Sequence, residues 1–229
     1  MAPRGGGEGF RIDVDLEHAR REGERVSGLL AALRRRHDLS RFEYTTIVRV
    51  VPGGDTFAHP VLTLGNRFAG SEDMLLSTYL HEQMHWYLWR LGGETHDPVA
   101  PFFDELVRRY PQAPIAPPDG ALSYESTYLH LVVNWLEIAA AAEYIGQARA
   151  RAVAQASRSY RWIYHTVLRD WDLLGELYER HDLVPMRPAQ ELSRASASAS
   201  SQRTRAAARS TRSPQSRRRP RGRGGRSAG

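Results

Sequence analysis

The chain has 229 residues, 41% hydrophobic and 25% charged, which suits one packed domain and excludes a mini-protein or a multidomain array. It contains no cysteine, so a disulfide framework, a thiol nucleophile, a Cys-ligated zinc finger and an iron-sulfur cluster are excluded, and any metal must rest on His, Asp and Glu. The net charge of +6 points to nucleic acid only until it is placed along the chain. All 32 basic residues are Arg, and 11 of them lie between Arg194 and Arg226, where there is no Asp or Glu. Positions 1–193 therefore hold 21 basic against 26 acidic residues, a body charge of −5.

These shifts predict a Gly-rich flexible lead over 1–9, a folded domain over 10–187 and a disordered Arg/Ser/Ala/Gly-rich tail over 188–229. Nucleic acid is expected, if at all, only through that tail, which reads more simply as a composition-biased extension. No apolar stretch approaches the ~20 residues a membrane span needs, and Met1–Gly7 lacks an apolar signal core. The expectation is a cytoplasmic protein with no membrane partner.

Apolar residues at Leu16, Ala19, Val26, Leu29, Leu30 and Leu33 have helical spacing and predict a first helix over Asp15–His37. Phe42–Val51 is β-branched and aromatic, ends at Pro52-Gly53-Gly54-Asp55 and is followed by His59–Leu64, the pattern of two paired strands joined by a turn. Ser71, with Glu72 and Asp73 behind it, can cap a long helix that stops at Gly92-Gly93. Pro101 opens a short helix to Tyr110, and the Pro-rich run 111–120 cannot be helical. Ser123 then caps a helix to about Ile145, with further helices over Ala150–Arg169 and Asp170–Arg180. The fold class expected is α+β, mostly helical with a small sheet or hairpin beside the helix over 71–92.

That helix carries His81-Glu82-Gln83-Met84-His85. Its two histidines, four residues apart, share a face and can grip one ion, while Glu82 stands one residue round, able to act as general base towards water. This HExxH pattern resembles the zincin-type metallopeptidases, whose active-site helix it defines. The match covers His81–His85 specifically and, more loosely, the strand His59–Leu64, since zincins place a strand beside the substrate cleft. The longer metzincin motif is excluded, because Leu88 and Leu91 stand where it needs Gly and His. The resemblance implies a zincin-like fold, Zn²⁺ as cofactor and a peptide or protein substrate.

Such a site needs a third protein ligand, and three residues compete. His130, Asn134 and Glu137 fall on one face of a helix too apolar to face water, and polar groups so placed need partners. His130 is ranked first, with Asn134 or Glu137 fixing an imidazole; Glu137 as ligand resembles the gluzincin arrangement and is ranked second. His96, in Gly92-Gly-Glu-Thr-His-Asp-Pro98 and similar in place to a SprT-like third ligand, is ranked third. Tyr164 or His165, in the aromatic run 160–165, could donate to an oxyanion. The function expected is a zinc-dependent hydrolase, most simply a metallopeptidase, with Glu82 as its base. The alternatives are a non-catalytic metal-binding protein and a nucleic-acid-associated protein acting through its basic tail.

Overall fold

The structure is a computed structural model that describes residues 11–14, 20–65, 71–92 and 100–194. His96, the Gly-rich lead and residues 195–229 of the expected tail lie outside these. The described residues form an α+β fold of seven α-helices and a three-stranded sheet: β1 Arg11–Val14, α1 Arg20–Arg36, β2 Ile47–Val50, β3 Leu62–Leu64, α2 Glu72–Gly92, α3 Ala100–Arg109, α4 Tyr124–Ile145, α5 Gln147–Ala156, α6 Arg161–Arg169 and α7 Trp171–Arg180. No helix among them is long and apolar enough to cross a membrane. Ala189 and Leu192 are buried, so the packed body continues past the expected end at residue 187.

The sheet corrects two expectations. Its order is β1-β2-β3 with both pairs parallel, Val48 opposite Leu62 and Val50 opposite Leu64, so β2 and β3 are not a hairpin. The turn at Pro52–Gly54, with Gly53 at φ +76°, only begins the return. The reversal comes later, where Phe57 pairs antiparallel with Thr63 through hydrogen bonds of 3.1 and 2.8 Å, leaving β3 to re-enter parallel to β2. Thr56 Oγ1 then accepts from the Gly65 amide at 3.0 Å. The first regular element among the described residues is also a strand, and the first helix is described over Arg20–Arg36, the start expected at Asp15 lying outside the described residues. The β-branched run over 42–51 yields only four strand residues, since Leu39–Phe42 winds into a 3₁₀ turn capped by Asp38.

Two helices make the centre. On α2, Leu75, Leu76, Tyr79, Leu80, Met84 and Tyr87 are buried, and on α4 so are Leu131, Val132, Val133, Leu136 and Ile138. Such helices, apolar nearly all round, must be enclosed on several sides. α2 packs along α4 and touches α1 and β3, while α5, α6 and α7 close over α4. The caps read from sequence are formed: Ser71 Oγ accepts from the Met74 amide and Ser123 Oγ from the Ser126 amide.

A buried polar link ties α2 to the sheet. Gln83 Oε1 accepts from the Thr45 amide at 3.0 Å, and its Nε2 donates to the Thr45 carbonyl at 2.9 Å and to the Tyr79 hydroxyl at 3.0 Å. Tyr79 donates to Glu43 at 3.1 Å, which also takes a two-pronged ion pair from Arg34 of α1 at 2.7 and 3.0 Å. Gln83 mimics a strand's backbone just before β2, satisfying both groups of Thr45. Gln83→Leu keeps the volume but leaves that donor and acceptor buried and unpaired, and is expected to cost about 2–4 kcal/mol in urea unfolding.

Candidate metal centre

α2 and α4 run antiparallel where they meet: Ser77 and His81 of α2 reach Glu137 of α4, and one turn further along α2 His85 meets His130. The ring centroids of His81, His85 and His130 are 5.1–5.4 Å apart. Each offers a ring nitrogen within 4.8 Å of the other two. Glu82 adds a carboxylate that is 5% exposed.

Hydrogen bonds fix two of the rings. His81 Nδ1 lies 3.0 Å from Glu137 Oε2, and a carboxylate can only accept, so Nδ1 carries the proton. His130 Nδ1 is 2.6 Å from the Ser126 carbonyl, which by the same logic receives its proton. Both rings thus turn Nε2 lone pairs inward, the state in which imidazole binds a metal. Zinc with nitrogen ligands at 2.0–2.1 Å sets them about 3.4 Å apart, so a spread of up to 4.8 Å calls for small side-chain rotations and no backbone movement. The donor set fits a tetrahedral ion with one position left over.

The electrostatics favour the neutral form for two of the three imidazoles. Burial, with the nearby charge of His81, pushes His130 down to about 3, and burial followed by His81, His130 and His59 holds His85 well below the usual imidazole range. Burial pulls His81 the same way, but the hydrogen bond to Glu137 and the charges of Glu82 and Glu137 outweigh it and leave its pKa raised. For Glu82 burial dominates; His81 lowers it, Glu137 raises it, and the result is about 7.

Several expected partners take other roles. Glu137 orients His81 and not His130; it also accepts from Tyr164 at 2.7 Å and, in a short bond, from Ser77. His130 is oriented by the Ser126 carbonyl one turn earlier, whereas Asn134, fully buried, makes no hydrogen bond among the described residues. Tyr164 donates its hydroxyl to Glu137, and His165 is exposed beside Arg161 and Trp162.

Tyr160, from the same aromatic run, packs against the cluster instead. Its ring is 4.4 Å from His130 and stacks 6.1 Å from His81 at 9°, and burial and the charge of Glu82 raise its pKa. It sits at φ 55°, ψ 36°, a left-handed conformation costly for an aromatic residue, in a break between α5 and α6 where one helix was expected. The signal was present: Ser157 Oγ donates to the Ser159 carbonyl and accepts from its amide, local bonds that compete with helix.

Comparisons with protein-family models, with curated proteins and with solved structures give no match, so the class of this chain rests on the centre itself. Glu137 carries a testable load. Glu137→Ala strands three donors and is expected to cost about 3–5 kcal/mol, as breaking a buried pair does, whereas Tyr164→Phe removes one charged bond and should cost about 1.5–3 kcal/mol; thermal and denaturant unfolding read both.

Proposed function

We propose that the chain is a zinc-dependent hydrolase of the zincin type, acting on peptide or protein substrates. The observation that carries this is the meeting of His81, His85 and His130 within 4.8 Å, on two helices, with the near-buried Glu82 beside them. A zinc ion bound by the three imidazoles would supply Lewis acidity, polarising the scissile carbonyl and making water a better nucleophile at neutral pH. Glu82 takes the proton from the attacking water and hands it to the departing amine, so that OH adds to the carbonyl carbon and H to the nitrogen as the C–N bond breaks. Glu137 holds the His81 ring in one tautomer, and Ser126 does the same for His130. Tyr160, whose ring packs against His130 and His81, would be the donor to the oxyanion.

Metal analysis of the purified protein is the first test, with zinc near one equivalent expected in the wild type and none in His130→Ala. Glu137→Gln should weaken retention by about 10- to 100-fold. Glu82→Gln should retain zinc and lose about 10²–10⁴ in peptide turnover. A Glu82→Gln protein as active as wild type would leave the centre as a binding site without chemistry. Tyr160→Phe should reduce kcat by about 10²-fold with KM little changed, the mark of a donor used only in the transition state.

A further inference from the structure

The two rows of side chains that build the centre continue along α2 into aromatic residues. Trp86 stands one turn beyond Glu82, and Trp89 one turn beyond His85, on the same faces. Their rings meet edge to face at 5.4 Å. His59, arriving from the loop before β3, lies 4.4 Å from Trp86 and 6.2 Å from Trp89, and interacts with the backbone of His85. Trp86 is fixed by an indole hydrogen bond to the Ala58 carbonyl at 2.9 Å. The shelf is therefore rigid, yet it faces solvent: Trp89 is 52% exposed, His59 is exposed, and Phe57, two residues before it, is 45% exposed.

Resting on the hydrolase reading, we propose that Trp86, Trp89 and His59 form the subsite that receives a large aromatic or apolar side chain of the substrate, next to the bond being cut. Three features favour that occupant. Trp89 exposes about half of a costly apolar surface on a helix most of whose large side chains are buried or partly buried, at a place continuous with the reacting groups. The geometry offers ring faces and edges, which suit an offset or edge-on aromatic guest. His59 adds a third ring, 4.4 Å from that of Trp86, that widens the shelf.

The test measures binding as well as turnover. Zinc-loaded Glu82→Gln protein is titrated with end-capped pentapeptides that carry one Phe, Leu, Arg or Ala among glycines, followed by calorimetry and tryptophan fluorescence. The Phe peptide should bind at least ~10-fold more tightly than the Ala peptide, with Leu between, and quench the fluorescence; adding Trp89→Ala should bring Phe down to the level of Ala. His59→Ala should reduce the preference in part. Equal binding of Phe and Ala, no detectable binding of the Phe peptide at millimolar concentration, a preference for Arg, or a Phe preference that survives Trp89→Ala each overturns the subsite. Turnover by the wild type judges the hydrolase separately: a binding preference without cleavage of any peptide keeps the shelf and removes the enzyme, whereas cleavage indifferent to the side chain does the reverse.

Discussion

A carboxylate buried to 2% exposure has to be satisfied in place, and Glu137 is satisfied only if three helices arrive together. Ser77 and His81 come from α2 and Tyr164 from α6, while Glu137 itself is held on α4. Removing such a charge from water is expensive, so any sliding of α2 along α4 that lost these bonds would be penalised by several kcal/mol. That penalty fixes the antiparallel register and thereby brings His130, two turns before Glu137, opposite His85. One residue sets both the tautomer of a candidate ligand and the alignment that makes the cluster.

The electrostatic pattern follows from the same arrangement. Three imidazoles and two carboxylates share a nearly dry volume, and two of the rings are driven towards neutrality. The third is balanced by Glu137. Two neutral lone pairs facing one another have little stabilising interaction of their own, which is the condition in which a cation has most to offer.

Much of this could be read from the chain alone where the signal was local. The pair His81 and His85, the caps at Ser71 and Ser123, and the polar face of His130 and Glu137 all follow from helical spacing. What could not be read depended on partners distant in sequence. Nothing near Glu137 says whether its carboxylate meets His81 or His130, since that is decided by the crossing of α2 and α4. Gln83 looks like a spacer within the motif, and its pairing with Thr45 emerges only when β2 is beside α2. The parallel sheet was missed because strand residues and turn residues are the same in both arrangements; the difference lies in Phe57, which takes the antiparallel place beside Thr63. Tyr160 escaped notice because aromatic stripes ordinarily signify packing, and the serines that break its helix carried the message instead.

That place beside Thr63 has a bearing on recognition. The outer edge of β3 is closed by its own chain, both main-chain groups of Thr63 being used by Phe57 and the Gly65 amide by Thr56. An extended guest thus finds the rung at Thr63 already taken. Main-chain pairing is indiscriminate, because every peptide carries the same amides, and it is also the template on which unrelated chains accrete into fibrils. By closing this rung, the protein gives up a promiscuous handle and a hazard together.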